Sequence, residues 1–449
     1  MTFNQIIKLL ALRRKLHRRD TWAREKLVEY KANALLDLRS YAYKFSPYYQ
    51  KLHNGLFKAP LQELPVLTKR MLMENWDELI TDRSIKLADV QSFLTDLKDV
   101  KLFRNKYYVA STAGTTGMRG IFIYNPKEWL SVLASYTRGN DWAGVKAGLT
   151  RRTKIAIVST TTPWHQSAAV GATLKSWFVP TLRIDSTDTM EHIVSALNDF
   201  QPRSLVAYAN MARLLANEQL AGNLNISPEA VFCASEVLTQ DSRELIKNAW
   251  GKEPFNQYAA TETAGIASDC EYHDLHLYED LVITEIVNEK NAHVQPGEYG
   301  TKILVTVLFS RTLPLIRYEM SDSVRPSTRL SPCGRPFALI EDIQGRAEDT
   351  LFLFDNKGDE VAIHPNVFHN IMEQEPVAGW QIIQENDNNL NVRILSPGAG
   401  FREQQLVNAV SSQLEMQGIH EPKIKVERVT SLLRGSLGKI FLIRAKKNT

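Results

Sequence analysis

Lys154-Ile-Ala-Ile-Val-Ser159 is a short apolar run entered by a charge and left through a Ser/Thr/Pro loop, Thr160 to Pro163. That boundary pattern reads as a buried strand. Working outward, Ser204-Leu-Val-Ala-Tyr208 is a second strand, with a helix from Met211 to Leu220 after it. Ala230-Val-Phe-Cys-Ala234 is a third, followed by a helix from Thr239 to Trp250. Strands that alternate with helices predict a parallel sheet with both faces covered, hence an α/β protein.

Upstream, the first fifty residues read as helix. Ile6, Leu9 and Leu10 recur at helical spacing, Trp22, Leu27 and Tyr30 resume the stripe, and neither Gly nor Pro interrupts it before Pro47. The cluster Arg13, Arg14, Lys15, Arg18 and Arg19 reads as a solvated helix face, or else as a contact for an acidic partner or anionic lipid. Downstream of Tyr278 the texture becomes β-rich. Leu281 to Val287 and Lys302 to Leu308 flank the turn signal Gln295-Pro-Gly-Glu-Tyr-Gly300, which predicts an antiparallel or barrel-like module. After Gly345 a small α/β unit follows, with strands near Trp380–Ile383, Leu390–Ile394 and Ile424–Val429 and a helix around Gln404 to Met416.

Composition excludes several classes. A chain of 449 residues with 44% hydrophobic and 23% charged residues is not disordered. A net charge of +4 gives no argument for nucleic acid. The cysteines, Cys233, Cys270 and Cys333, are sparse and odd in number, which fits a reducing, cytoplasmic setting. No apolar run is long enough to span a membrane, and the start lacks the pattern of a signal peptide.

Five stretches carry chemistry. Ser111-Thr-Ala-Gly-Thr-Thr-Gly-Met-Arg-Gly120 interleaves hydroxyls with glycines, so its backbone N–H groups can approach an anion, although no Gly-Lys-Ser/Thr of a P-loop follows. Tyr258-Ala-Ala-Thr-Glu-Thr-Ala-Gly265 sets a carboxylate among hydroxyls at a strand end, a position suited to Mg²⁺ and phosphate. Pro314 to Asp322 offers Asp322 to a ribose diol. Ile343-Gln-Gly-Arg-Ala-Glu-Asp-Thr350 and Arg434-Gly-Ser-Leu-Gly-Lys-Ile440 complete the set.

In order and spacing these stretches resemble the adenylate-forming acyl/aryl-CoA ligases, and within them the phenylacetate-CoA ligase branch with its capsular-polysaccharide-associated relatives. The resemblance covers nearly the whole chain and includes Phe45-Ser-Pro-Tyr-Tyr49 and Leu64-Pro-Val-Leu-Thr-Lys69. It implies an N-terminal adenylation domain, residues 1–345, and a small mobile C-terminal domain, residues 346–449, with Glu348 at the hinge. Ser111, Thr112, Gly114, Thr115, Thr116, Gly117 and Arg119 would hold ATP phosphates. Thr261 and Glu262 would contact the α-phosphate and Mg²⁺, and Lys439 would bridge carboxylate and α-phosphate. Tyr258 would lie against adenine, Ser235 and Glu236 beside it, and Asp322 and Arg346 on the ribose. Trp164, His165, Tyr208, Ala234 and Ala259 would wall a pocket for a small, aromatic acid.

The implied reaction is ATP-dependent, Mg²⁺-requiring adenylation of that acid, then acyl transfer to CoA. An acyl carrier protein or an amine is the alternative acceptor, a catalytically silent scaffold is the alternative class, and a homodimer is an allowed assembly. Departures from the family pattern are Met118, where Lys is usual, Glu348-Asp349 in place of Asp-Asp, and a longer stretch from Leu351 to Pro365 near the thiol tunnel. Some relatives carry a Cys…His…Cys-x-Cys set. Here Cys270, His276 and Cys333, with His273 or water, could hold a structural Zn²⁺, or could stand as plain thiols and surface histidine.

Overall fold

The computed structural model describes residues 3–112, 119–145, 152–346, 351–363, 366–372, 375–434 and 440–445. The helical start is α1 (Phe3–Arg19) and α2 (Arg24–Phe45), followed by the short helices α3 (Pro47–Leu52), α4 (Lys69–Glu74), α5 (Trp76–Leu79) and α6 (Leu87–Thr95). Leu9, Leu16, Leu27 and Leu38 bury the helical stripe against the main core. Part of the basic cluster is spent inside the molecule. Arg13 pairs with Asp141 at 2.5 Å and Arg19 with Asp280 at 3.0 Å. Arg138 lies between Asp20 (2.6 Å) and Asp280 (2.7 Å), all buried. Removing either acid would leave a buried charge, so this network fixes the helical start on the sheet domain.

A hairpin of β1 (Tyr108–Ser111) and β2 (Ile121–Tyr124) leads into the long helix α7 (Pro126–Trp142). Asn125 starts α7 with a capping box closed by Glu128. The alternating units then follow: β3 (Ile155–Ser159), α8 (Gln166–Leu174), β4 (Thr181–Asp185), α9 (Met190–Phe200), β5 (Ser204–Tyr208), α10 (Ala209–Leu220), β6 (Ala230–Ala234), α11 (Gln240–Trp250) and β7 (Phe255–Ala260). β4, β3, β5, β6 and β7 pair in parallel in that spatial order, as the alternation predicts. The sheet continues antiparallel through β8 (Ala264–Asp269), β9 (Leu275–Leu277), β14 (Leu339–Arg346) and β13 (Asp322–Pro326), giving nine strands. One face of β3, β5 and β6 is sealed by a core that α9, α10 and α11 share.

The β-rich module is an open three-stranded antiparallel sheet of β10 (Val282–Val287), β11 (Lys302–Val307) and β12 (Tyr318–Met320). No closed barrel forms among the described residues. The C-terminal unit comprises the hairpin β15 (Leu351–Phe354) and β16 (Glu360–Ile363), α12 (Asn366–Met372), β17 (Val377–Asn386), β18 (Asn389–Pro397), α13 (Glu403–Met416), β19 (Lys423–Val429) and β20 (Ile443–Arg444). Its four-stranded sheet runs β19-β18-β17-β20 and encloses an apolar core drawn from its own residues, Leu351 to Ile443. A body with its own core can move as a unit.

Candidate active site

Between the sheet and helices α7 and α8 lies a cavity of about 170 Å³. It opens at the carboxyl ends of the parallel strands, where α/β sheets bind ligands. The turn between β7 and β8 projects Thr261 and Glu262 into its wall. Thr263 N–H closes that turn on the Ala260 carbonyl at 3.3 Å, and Ala264 takes a left-handed φ of 63° to start β8. The turn is clamped from outside. Tyr124 donates its hydroxyl to the Thr261 carbonyl at 2.6 Å, and Gln166 donates to the same oxygen at 3.0 Å. Tyr136 in turn donates to Gln166 Oε1 at 2.9 Å. Burial pushes the Tyr124 phenol well above its ordinary range, with the Glu262 carboxylate adding to the effect, so Tyr124 stays a donor.

Ser235, at the end of β6, also lines the cavity, with φ at 66°. Strain of this kind concentrates where a turn is held for function. Its neighbour Glu236 points elsewhere. One carboxylate oxygen accepts from Asn210 N at the start of α10 (2.9 Å), the other from Ile440 N of the C-terminal unit (3.0 Å). Arg434 donates to the Ser186 carbonyl, and Arg434 and Ile440 pair as an antiparallel bridge. Arg213 on α10 reaches across as well, donating to the carbonyls of Ala378 (2.8 Å) and Val377 (2.6 Å). Leu214 packs beside Leu395, Leu432 and Ile440. The C-terminal unit is thus docked on α10 at the mouth of the cavity.

Of the residues singled out in the sequence, Thr112, His165, Tyr208, Ala234, Ser235, Ala259, Thr261 and Glu262 all line this cavity. Trp164 is not one of its walls. It sits at the base of the hydroxyl-rich loop, its carbonyl accepting from Ser111 N at 2.9 Å and its ring 4.8 Å from the Arg119 guanidinium. Thr112 and Gly120 close that base with two hydrogen bonds, 3.0 and 2.8 Å. Tyr258 packs against the main core. Asp322 begins β13, buried, in backbone register with Arg346 on β14. Gly114, Thr115, Thr116, Gly117, Met118, Glu348 and Lys439 lie outside the described residues. Gln166, Tyr124, Tyr136 and Gln257 went unread in the sequence, because an isolated Gln or Tyr carries no spacing signal until strand register assembles it.

No protein-family model matches the chain. Protein CapK of Staphylococcus aureus is 26% identical over 282 residues, 61% of this chain and 55% of that protein, so the match spans little more than half of CapK. The phenylacetate-coenzyme A ligase of Thermus thermophilus is 24% identical over 439 residues, 93% of this chain and 92% of that enzyme. Among solved structures, 2-hydroxyisobutyryl-CoA ligase in its postadenylation state with 2-HIB-AMP superposes with a TM-score of 0.74 at 17% identity, covering 96% of this chain and 92% of that one. The chain has the fold of the adenylate-forming acyl/aryl-CoA ligases. The same ligase in its thioesterification state, with CoA, gives 0.59 over 95% of this chain and 91% of that one, again at 17% identity.

A second cluster lies elsewhere in this ligase fold. The ligand atoms of Cys270, His276 and Cys333 fall within 4.8 Å of one another. Cys333 Sγ is 3.1 Å from His276 Nε2. His276 Nδ1 faces the Phe337 carbonyl at 3.2 Å; a carbonyl only accepts, so the proton sits on Nδ1 and the Nε2 lone pair faces the thiols. Backbone N–H groups of Tyr272 and Arg335 point at the two sulfurs, at 3.4 and 3.5 Å. Ser331, two residues before Cys333, places its hydroxyl 3.9 Å from Cys270 Sγ. His273 stacks instead on Phe255, at 4.5 Å. Burial lowers the His276 pKa and keeps the ring neutral. The donor set fits a zinc ion: two thiols, a neutral imidazole and a hydroxyl or water position. Cys233 is apart from this cluster, its thiol pushed up to about 12 by burial, and is core.

Proposed function

We propose that this protein activates a carboxylic acid with ATP as an acyl-adenylate and then transfers the acyl group to the thiol of CoA. What carries the reading is the Thr261–Glu262 turn, held at the mouth of a cavity with mixed polar and apolar walls, with a separate unit docked beside it. The Thermus thermophilus relative, aligned over most of this chain, supports an aryl or similarly apolar acid and CoA as acceptor.

The chemistry brings two anions together, a carboxylate and the α-phosphate. Groups that offset charge on the phosphoryl oxygens therefore lower the barrier most. Mg²⁺, when bound, would supply that offset as a Lewis acid, and Glu262 with the Thr261 hydroxyl is the hard-oxygen set that suits it. Thr112 and Ser235 would receive the nucleotide, and Asp322 with Arg346 its ribose. His165 at the start of α8 would orient the acid's carboxylate, while Gln166 holds the Thr261 turn. Lys439 would enter with the docked C-terminal unit, and rotation about Glu348 between residues 1–345 and 346–449 would withdraw it for the thiol step. The higher similarity to the postadenylation state than to the thioesterification state supports a docked arrangement suited to adenylation.

Pyrophosphate exchange over a panel of aryl and aliphatic acids tests the proposal; bound ATP without exchange for any acid would contradict it. Arg213→Ala removes two charge-assisted bonds across the dock, so adenylation should slow about a hundredfold, near the low end for two such bonds. Transfer from supplied acyl-adenylate should be unchanged. Equal loss in both half-reactions would remove Arg213 from the docking role.

We also propose that Cys270, His276 and Cys333 hold a structural Zn²⁺. Elemental analysis should then find about one zinc per chain. Cys333→Ser should lose most of it and lower the thermal midpoint. Zinc should be released as the pH falls, because protons compete with the metal for His276 and the two thiolates.

A further inference from the structure

The two faces of β3 are packed differently. Ala156 and Val158 are completely buried in the core with α9, α10 and α11. Ile155 and Ile157, pointing to the α7/α8 side, are only half-buried, and so is Val206 beside them on β5. β3 lies one strand in from the edge strand β4, and the half-covered side chains on its α7/α8 face border a cavity. Ile155, Ile157 and Val206 form its floor.

Its roof is a stripe of α8, flanked by Tyr136 and Asn140 of α7. Gln166, Val170 and Leu174 recur every fourth residue, so they share a helix face, and all line the cavity. The helix runs back along the strand, as a strand–helix–strand unit requires. The polar ends, Ser159 and Gln166, therefore meet at the catalytic mouth, and Ile155 and Leu174 meet at the far end. From Ser159 to Ile155 the strand rises about 13 Å, and from Gln166 to Leu174 the helix rises about 12 Å. Gly171 brings the roof down: a Cβ there would lie 3.1 Å from Ile157 Cδ1. Val179 and Thr181 close the end.

We infer that this slot is a length gauge for the acid, and that the substrate class is a carboxylic acid with an elongated apolar body about 12 Å long, alkyl or ω-phenylalkyl, and not a compact acid such as benzoate or isobutyrate. The inference rests on the adenylation reading above. The carboxylate stays with Thr261 and His165 at the polar mouth, and the tail runs over Val206, beside the contact of Gly171 with Ile157, to Ile155.

Acid-dependent pyrophosphate exchange along the straight-chain series from butyrate to dodecanoate, and along the ω-phenyl series from phenylacetate, tests it. Efficiency should rise roughly fourfold per methylene until the slot is filled, then fall. Ile155→Phe should move the optimum to shorter acids, cutting the decanoate-to-butyrate ratio about tenfold or more. Ile155→Ala, which only removes volume, should move it to longer ones. A wild-type optimum at benzoate or isobutyrate, or an unchanged length profile in Ile155→Phe, would overturn the gauge. No exchange with any acid while ATP binds would instead sink the adenylation reading. Calorimetric titration with decanoate then still decides the slot: binding weakened by Ile155→Phe supports it, and absent or equal binding overturns it.

Discussion

Lys439→Ala is expected to abolish acid-dependent pyrophosphate exchange while leaving thioester formation from supplied acyl-adenylate intact. The loss should reach about 10²–10³-fold or more, the scale for removing one positioned group that meets charge developing in a transition state. The reason for the split is mechanical. Lys439 lies outside the described residues, but the next residue, Ile440, gives its N–H to Glu236, whose other oxygen holds the start of α10. Ile440 is thus tied to the cavity mouth, and under the proposed function Lys439 would act there only while the C-terminal unit is docked. In the thiol step that unit would be turned away, and an alanine there has nothing to disturb. Rapid-quench assays of each half-reaction separate the two. Retained exchange in Lys439→Ala would assign the bridging charge to another residue.

The strands that build this mouth were legible in the sequence, for a simple reason. Ile155 to Ser159, Ser204 to Tyr208 and Ala230 to Ala234 are short apolar runs bounded by turns, and burial on both faces of a parallel sheet demands such runs. The antiparallel continuation through β8, β9, β14 and β13 was not legible, since its one link between β9 and β14 joins segments far apart in the chain. Of the antiparallel or barrel-like module expected, the antiparallel form is present and no closed barrel forms among the described residues, because alternation fixes a strand but not whether the sheet closes. Thr261 and Glu262 stood out because a carboxylate among hydroxyls at a strand end is chemically unusual. Gln166 and Tyr136 did not, as their meaning arises only when α7 and α8 are brought over β7. Glu236 was read as lining the nucleotide, and in the fold its carboxylate spans two backbone N–H groups from different units. Arg13 and Arg19, read as a solvated face, are drawn into ion pairs with Asp141 and Asp280 that only tertiary contact supplies.

Glu262→Gln is expected to lower exchange about 10²–10³-fold at ordinary Mg²⁺ levels, with a steeply raised Mg²⁺ requirement. The swap keeps size, though one acceptor oxygen becomes an NH2 donor, and the turn is held through the backbone carbonyl of Thr261 by Tyr124 and Gln166, so folding should be spared. What changes is charge. A carboxylate next to the phosphates repels bare ATP and attracts it once Mg²⁺ lies between them. The substitution should therefore act with opposite sign on two measurable affinities: ATP in chelator should bind Glu262→Gln as well as or better than wild type, while MgATP should bind it less tightly. A residue that merely shaped the turn would shift both in the same direction. Parallel shifts, or an unaltered Mg²⁺ dependence of exchange, would therefore remove Glu262 from the metal-holding role, whatever the loss of rate.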